Sequence, residues 1–206
     1  MRLDTTLYLV TDSEGLCETE FLDIIDQALA GGVTLVQLRE KEKTGRQYYE
    51  LAVKVKAVTD RFGVPLIIDD RVDVALAAEA AGVHLGQTDL PIAQARALMG
   101  GKIIGATAKT VQQAKAAEEA GADYLGVGAI FPTTTKVITV LTPVATLSDI
   151  AKNVKIPAAA IGGLNAGNLD VLYGSGASGI AVVTAIMKSQ NPKAAASELR
   201  RLAQEL

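Results

Sequence analysis

The chain contains one cysteine, Cys17, and one histidine, His84, among its 206 residues. A lone cysteine excludes an intrachain disulfide and is typical of a protein from a reducing compartment. No set of serine, cysteine and histidine residues resembles a nucleophile with its base, which argues against covalent catalysis. We therefore interpret Cys17 as an inert loop thiol. His84 lies inside an apolar strand, and we interpret it as a wall residue whose ring nitrogens have partners.

Long apolar runs and a strong excess of one charge are also missing. The stretch "MRLDTTLYLVTD" carries Asp4 and an apolar run of only four residues, which is too short for a signal peptide or a membrane span. A formal net charge of −3 gives the chain no reason to bind nucleic acid or an anionic membrane. We expect a cytoplasmic protein whose partners are small molecules.

Apolar segments and helix-period segments alternate along the whole chain. In segments such as "FLDIIDQALAGG" and "QYYELAVKVKAVTDRFG", apolar residues recur every three or four positions. Four junctions, "AGGVTLV", "AAGVHLG", "EAGADYLG" and "GSGASGIA", place glycine after a helix, where we expect a left-handed cap. The apolar runs predict eight strands, at Leu7 to Val10, Leu35 to Leu38, Leu66 to Ile68, Val83 to Leu85, Ile103 to Ala106, Tyr124 to Val127, Ala158 to Ile161 and Ile180 to Val183.

Eight strands that are apolar throughout indicate a parallel sheet covered on both faces. Eight strand-helix units are the number that closes a (β/α)8 barrel. An open doubly wound sheet is the alternative, but "LYLVTDSEGLCETE" offers only Gly15 where that fold needs a glycine-rich fingerprint. No linker or low-complexity segment interrupts the pattern. We predict the α/β class, with a single (β/α)8 TIM barrel spanning residues 1–206.

Polar side chains follow the predicted strands, at the end where such barrels carry their active sites. They are cations, hydroxyls, glycines and carboxylates, a set suited to holding phosphate. In chain order they are Gln37, Arg39 and Lys41 after the second strand, Asp69 and Asp70 after the third, Asp89 after the fourth, Thr107 and Lys109 after the fifth, Thr133, Thr135 and Lys136 after the sixth, Gly162 and Gly163 after the seventh, and Thr184 after the eighth.

Each of these segments has a simpler interpretation when it is taken alone. Arg39, Lys41 and Lys43 are also typical of a solvated charged loop, and an Asp pair before a helix is more often a helix cap. The barrel fold favours the functional interpretation, because it brings six such segments to one mouth.

The chemistry that these residues allow is narrow. Two aspartates from adjacent strand ends suit Mg²⁺, a hard cation that takes one or two carboxylates plus phosphate oxygens and water. Arg and Lys on neighbouring loops neutralise further phosphate oxygens. Backbone N–H groups at Gly163 and Thr184 match the usual monophosphate cup of this fold. A metal-assisted diphosphate site beside a monophosphate site suggests diphosphate as a leaving group.

Seven segments follow one another along the chain: "YLVTD", "QLREK", "LIIDDRVDVALA", "GVHLGQTD", "GADYLGVGAIFPTTTK", "AIGGL" and "GIAVVTAI". In this order they resemble the thiamine-phosphate synthase family over nearly the whole length of the chain. The resemblance implies an enzyme that joins a hydroxymethylpyrimidine diphosphate to a thiazole phosphate and releases diphosphate. The implied mechanism is dissociative: diphosphate leaves, and the thiazole nitrogen captures a pyrimidinylmethyl cation, so no protein nucleophile is needed.

The resemblance also implies roles for individual residues. Lys136, Arg39 and Thr107 are the expected catalytic groups, and Lys136 neutralises the leaving group. Asp70 and Asp89 are the expected Mg²⁺ ligands. The expected pyrimidine diphosphate site consists of Gln37, Leu38, Arg39, Glu40, Lys41, Asp69, Thr107 and Lys136. The expected thiazole phosphate site consists of Thr133, Thr134, Thr135, Gly163, Val183 and Thr184.

Three residues depart from the family pattern. Asp69 stands where the family usually has Asn, Ile138 where it usually has Asp, and Lys109 where many members have His. Two alternatives remain: a thiazole tautomerase of the same superfamily, and a non-catalytic barrel that binds a phosphate metabolite. The tautomerase needs an acid-base group at the position of Lys109 and lacks the T-x-T-K set, and an inert binder needs no metal pair. Both alternatives therefore rank below the synthase.

Overall fold

The computed structural model describes residues 3–133 and 140–206, which form a closed barrel of eight parallel strands. Each strand pairs with the next in chain order, and pairing of Leu7 with Ile180 closes the last strand on the first. The strands are β1 (Leu7–Val10), β2 (Leu35–Leu38), β3 (Leu66–Asp69), β4 (Gly82–Leu85), β5 (Ile103–Ala108), β6 (Tyr124–Gly128), β7 (Ala158–Ile161) and β8 (Gly179–Val182). The predicted (β/α)8 barrel is confirmed.

Helices follow the strands and cover the outside of the barrel. They are α1 (Glu18–Ala30), α2 (Gly45–Phe62), α3 (Val72–Ala77), α4 (Ile92–Met99), α5 (Val111–Glu119), α6 (Val144–Asn153), α7 (Thr184–Met187) and α8 (Pro192–Ala203). A 3-10 helix, Leu169–Leu172, takes the place of an α-helix between β7 and β8. Within the described ranges, no helix is long and apolar enough to cross a membrane.

Helix α2 shows why the local sequence forms these elements. The Thr44 hydroxyl accepts a hydrogen bond from the Gln47 backbone N–H, and the Gln47 side chain returns to the Thr44 backbone N–H at 3.0 Å. This capping box satisfies two N–H groups that the first helical turn leaves without partners. Gly63 caps the helix after Phe62, and its φ of 65° is a conformation that glycine adopts without steric cost.

Side chains of each strand alternate between two packing layers, as the pleat of a strand requires. Leu7 and Leu9 of β1 belong to the main core, which lies between the strands and the helices. Tyr8 and Val10 of the same strand belong to a smaller cluster that also contains Tyr124. The remaining members of that cluster are Leu35, Ile67 and Ala181. This smaller cluster therefore contains two tyrosines, whose hydroxyl groups need hydrogen-bond partners.

The glycines at the helix-strand junctions differ in their role. Gly121 (φ 98°) has the expected left-handed conformation. Gly82 lies within β4, and a Cβ atom there would stand 2.2 Å from the carbonyl oxygen of Ile103. Glu79 (φ 52°) makes the left-handed turn before β4 instead. The expectation of a cap at Gly82 is wrong, because close packing of β4 against β5 is what requires glycine there.

Two strands reach further than their apolar runs predict. Strand β3 ends at Asp69 and strand β5 ends at Ala108, so Asp69 and Thr107 belong to strands. Side chains on strands are held more precisely than side chains on loops. Both residues thus stand on the rigid part of the scaffold.

Candidate active site

Three aspartates stand at the carboxyl ends of β3 and β4. Asp69 is 8% exposed, and Asp70 follows it with a φ of 60°. The Asp70 backbone N–H donates to the carbonyl oxygen of His84 at 2.9 Å, which ties the end of β3 to β4. A left-handed conformation is uncommon for a residue other than glycine and is concentrated at functional sites. The backbone at Asp70 is therefore consistent with the role that the sequence predicts.

Two cations from the segment after β2 face these aspartates. The Lys41 Nζ atom lies 2.8 Å from Oδ2 of Asp69 and also donates a hydrogen bond to Oδ2 of Asp70. The Arg39 Nε atom lies 3.8 Å from the same Asp69 oxygen. The structure thus brings together four of the predicted site residues, from the ends of two neighbouring strands.

The three carboxyl groups differ in their acidity. Burial raises the pKa of Asp69, the charge of Asp70 raises it further, and Lys41 opposes both effects. Burial also acts on Asp70, but hydrogen bonds from Lys41 and Asp89 outweigh it and lower the pKa of Asp70. Burial raises the pKa of Asp89, and its hydrogen bond to Asp70 adds to the rise. Asp70 and Asp89 therefore titrate as a pair, with the charge favoured on Asp70.

The donor set at this point fits Mg²⁺. Asp70 and Asp89 are near enough to be hydrogen-bonded through their side chains. The Gly86 backbone N–H donates to Oδ2 of Asp89 at 2.7 Å and fixes the direction of that carboxylate. Among residues 3–133 and 140–206, no group of three or more His, Cys, Asp or Glu side chains could hold a metal. Two carboxylates suit Mg²⁺, which keeps its remaining positions for water and phosphate oxygens.

Two residues of the predicted pyrimidine diphosphate site direct their side chains elsewhere. Leu38 is fully buried in the main core, and its carbonyl oxygen accepts a hydrogen bond from the Tyr48 hydroxyl at 2.6 Å. The Glu40 side chain is 6% exposed, and its Oε2 accepts a hydrogen bond from the Ser13 hydroxyl at 2.9 Å. Glu40 thus connects the segments that follow β1 and β2. The side chains of Leu38 and Glu40 are engaged by the protein itself.

A chain of hydrogen bonds joins two other predicted residues. Gln37 donates to the Tyr8 hydroxyl, which lies 2.7 Å from the Tyr124 hydroxyl. His84 follows, with Nδ1 3.1 Å from the Tyr124 hydroxyl and Nε2 3.0 Å from Thr107 Oγ1. We call these five side chains the hydrogen-bond chain. The interpretation of His84 as a wall residue with partners on its ring is confirmed.

The sequence interpretation missed Tyr8 and Tyr124. Each occupies an inward position of an apolar strand and is almost completely buried. A buried tyrosine hydroxyl requires a polar partner, so a tyrosine inside an otherwise apolar strand is the signal that could have found them.

The segments after β6 and β7 pack against each other. Gly162 accepts a hydrogen bond from the Phe131 backbone N–H at 3.0 Å. Gly163 has a φ of 64°, and a Cβ atom there would lie 2.7 Å from the Phe131 Cβ and 2.7 Å from the Pro132 carbonyl oxygen. A side chain at position 163 would therefore collide with the segment after β6, whatever ligand binds at the mouth.

Part of the predicted site lies outside the described residues, namely Thr134, Thr135, Lys136 and Ile138. Thr133 is described and is partly exposed. On the return side, Thr142 is buried and donates to the Gly128 carbonyl oxygen at 3.0 Å. Lys109 Nζ donates to the carbonyl oxygen of Val140 at 2.9 Å. Lys109, one of the departures from the family pattern, thus contacts the backbone at Val140.

Val183 and Thr184 stand at the end of β8, next to β7 in the barrel. Val183 precedes α7 and is partly exposed, while Thr184 is the first residue of α7 and is exposed. Gly163, Val183 and Thr184 therefore occupy neighbouring strand ends, where the sequence predicts the monophosphate cup.

A protein-family model described as thiamine monophosphate synthase matches residues 7–186. Thiamine-phosphate synthase of Enterococcus faecalis is 54% identical over 191 residues, which cover 92% of this chain and 90% of the relative. Thiamine-phosphate synthase of Methanobrevibacter smithii is 48% identical over 198 residues, with 96% and 94% coverage. Both relatives match this chain at nearly full length.

Solved structures agree with the sequence comparisons. Thiamine phosphate pyrophosphorylase from Pyrococcus furiosus superposes with a TM-score of 0.90 at 38% identity, covering 99% of this chain and 98% of that one. 3-Hexulose-6-phosphate synthase superposes with a TM-score of 0.73 at 18% identity, a likeness of fold alone. The chain belongs to the thiamine monophosphate synthase family.

Proposed function

We propose that this chain is a thiamine-phosphate synthase, a transferase that moves a hydroxymethylpyrimidine group from its diphosphate to a thiazole phosphate. The products are thiamine phosphate and diphosphate. The observation that carries the proposal is the facing set of charges at the mouth, where Lys41 and Arg39 meet Asp69 and Asp70 beside Asp89. This set has both the cations that a diphosphate needs and a carboxylate pair for a metal.

The pyrimidine diphosphate is proposed to bind between the segment after β2 and the end of β5. Arg39 and Lys41 neutralise phosphate oxygens, and Thr107 offers a hydroxyl from β5. Lys136 is proposed as a third cation at the departing oxygen. The two cations with described contacts are held by carboxylates, so they are positioned before a substrate arrives.

Mg²⁺ is part of the proposal, with Asp70 and Asp89 as its protein ligands. When bound, the ion supplies positive charge to the diphosphate oxygens. Lys41 donates to Asp70 in the structure, so Asp70 would interact with both Lys41 and the metal ion. Asp69 adds a further carboxyl group where the family usually has an amide, and burial raises the pKa of this carboxyl group.

The thiazole phosphate is proposed to bind on the opposite side of the mouth, at the ends of β6, β7 and β8. Hydroxyls of Thr133, Thr134 and Thr135 and the backbone at Gly163, Val183 and Thr184 hold its phosphate. The residues of this side carry no described acid-base pair, which suits a substrate that only has to be held in line.

The proposed mechanism needs no protein nucleophile. The pyrimidine-to-diphosphate bond breaks first, and the negative charge that develops on the departing oxygen is stabilised by Arg39, Thr107 and Lys136. The thiazole nitrogen then donates its electron pair to the pyrimidinylmethyl cation. The tasks of this chain are thus to stabilise the developing charge and to hold the thiazole in line.

One experiment tests the proposed function directly. The purified protein is incubated with both phosphorylated heterocycles and Mg²⁺, and diphosphate release and thiazole isomerisation are measured separately. We expect diphosphate and thiamine phosphate in equal amounts, and loss of both products in Asp70→Ala. Isomerisation without diphosphate would identify a tautomerase, and binding of a phosphate compound without turnover would identify a non-catalytic barrel.

A further inference from the structure

The hydrogen-bond chain crosses the barrel interior. It begins at Gln37 on β2, passes through Tyr8 on β1, Tyr124 on β6 and His84 on β4, and ends at Thr107 on β5. Gln37, Tyr8 and Tyr124 are at most 4% exposed, and His84 is 8% exposed. Thr107 is partly exposed at the mouth. The hydrogen-bond chain therefore connects the buried Gln37 amide with the Thr107 hydroxyl, which a ligand can reach.

The direction of the donated protons follows from the Gln37 end. The Gln37 amide nitrogen is only a donor, so the Tyr8 oxygen accepts from it. The Tyr8 proton then points to Tyr124, whose hydroxyl oxygen lies 2.7 Å from the Tyr8 hydroxyl. A buried hydroxyl without a hydrogen-bond partner would be destabilising. The Tyr124 proton in turn points to Nδ1 of His84.

The direction of the Tyr124 proton also determines the roles of His84 and Thr107. When Nδ1 of a neutral His84 accepts from Tyr124, the ring proton is on Nε2, which then donates to Thr107 Oγ1 at 3.0 Å. The Thr107 oxygen is thereby used as an acceptor on its inner side. Its own proton is left for an acceptor at the mouth, such as an anionic phosphate oxygen.

We propose that Tyr124 is a positioning residue, which acts through His84 to hold Thr107 as a hydrogen-bond donor to the diphosphate group. This inference rests on the proposed function, which places the diphosphate against Thr107. Tyr124 is fully buried, so its proposed effect is indirect: it passes the donor direction along the hydrogen-bond chain from Gln37 to Thr107. Hydrogen bonds in such a chain polarise one another, which strengthens the last donor.

The first test determines, without any substrate, in which direction the protons of the hydrogen-bond chain are donated. His84 is the only histidine in the sequence, so protein labelled with ¹⁵N-histidine and prepared without a histidine tag gives one pair of ring-nitrogen signals. We expect Nε2 to carry the proton and Nδ1 to be an acceptor. The opposite tautomer would overturn the proposal, because Thr107 would then donate inwards to His84.

The second test is a double-mutant cycle with Tyr124→Phe and Thr107→Val. Tyr124→Phe removes the linking hydroxyl and keeps the ring. We expect it to lower kcat/KM by roughly tenfold to a hundredfold, the range seen when the hydrogen-bond partner of a metal ligand is removed. In the Thr107→Val background the same change should cost less than about twofold, since coupled residues are non-additive. Multiplicative losses would overturn the proposal.

Thr5→Val is the matched control for loss of a buried hydroxyl. Thr5 is 2% exposed, its hydroxyl lies 2.9 Å from the Ser178 hydroxyl, and it precedes β1 at the end of the barrel opposite the mouth. We expect it to lose stability in urea unfolding as Tyr124→Phe does, with kinetics like those of the wild type. Kinetics of Tyr124→Phe no worse than those of Thr5→Val would also overturn the proposal.

The cycle is repeated with inorganic diphosphate and Mg²⁺ in calorimetric titrations. The dissociation constants should show the same coupling between Tyr124 and Thr107, and additive changes would count against it. Absence of turnover in the wild-type protein would refute the proposed function. The tautomer of His84 and the binding cycle would still decide the role of Tyr124.

Discussion

Replacing Gly163 by Ala should destabilise this protein more than the left-handed backbone conformation alone would. Gly163 has a φ of 64°, and a Cβ atom would stand 2.7 Å from both the Phe131 Cβ and the Pro132 carbonyl oxygen. Real Cβ atoms do not approach so closely, so the segment after β6 must move. The substitution therefore acts on that segment as well as on the predicted phosphate cup.

The expected loss of stability has two parts. A left-handed conformation costs a residue other than glycine about 1–2 kcal/mol. Forcing an extra methyl group into packed surroundings adds about 1–3 kcal/mol. Gly63 separates the two parts, because its φ is 65° and no atom lies within 4 Å of the position of its Cβ. Gly63→Ala should show only the first part.

The two variants are compared by urea unfolding and by kinetics with both substrates. Gly163→Ala should be less stable than Gly63→Ala by the steric part alone. It should also weaken the use of both substrates, because Thr133 and Lys136 follow Pro132 within four residues of sequence. Gly63→Ala should keep normal KM values, since Gly63 precedes β3 at the other end of the barrel. Equal stabilities, or a loss confined to the thiazole phosphate, would refute the steric reasoning.

Three further outcomes are expected. Asp70→Ala and Asp89→Ala should fold and lose most Mg²⁺-dependent turnover in a Mg²⁺ titration, whereas near-normal rates in both would assign them to capping. Asp69→Asn should raise the free energy of unfolding at pH 7. Burial and the charge of Asp70 raise the pKa of Asp69 in the folded protein above its unfolded value of about 3.9. The stability that Asp69 contributes is therefore lost as the pH rises through the folded-state pKa. The gain in free energy of unfolding should vanish below the unfolded pKa of Asp69. A variant that is less stable than the wild type at pH 7 would contradict the prediction. Lys136→Ala should lower kcat and kcat/KM together by roughly a hundredfold or more, at high salt as well as low. An unchanged kcat with a salt-sensitive KM would instead assign Lys136 to long-range attraction.

The barrel could be predicted because its elements are encoded locally. Each strand is a short apolar run and each helix has its own period, and both patterns are visible without knowledge of any distant residue. The order of strands followed from the fold rule that parallel neighbours are joined by a helix. Asp69, Asp70 and Lys41 could be placed together for the same reason, because adjacent strand ends meet at one mouth.

Side-chain direction could not be predicted in the same way. Leu38 and Glu40 stand between Gln37 and Lys41 in a segment whose members look equivalent in sequence. The structure turns Leu38 into the main core and Glu40 towards Ser13. The predicted cap at Gly82 failed for a related reason, because only its contact with Ile103 on the neighbouring strand shows why glycine is needed.

The sequence by itself determined the number and order of the strands, the loops that carry polar residues, and the chemical types available at the mouth. Only the tertiary structure decided which of these residues touch. Tyr8 and Tyr124 are 116 residues apart, yet their hydroxyls lie 2.7 Å from each other. Such a contact depends on the closure of the barrel, which sets the distance between strands that share no local pattern. Local periodicity places a side chain on a face of its strand, and closure of the sheet determines which distant side chains it contacts.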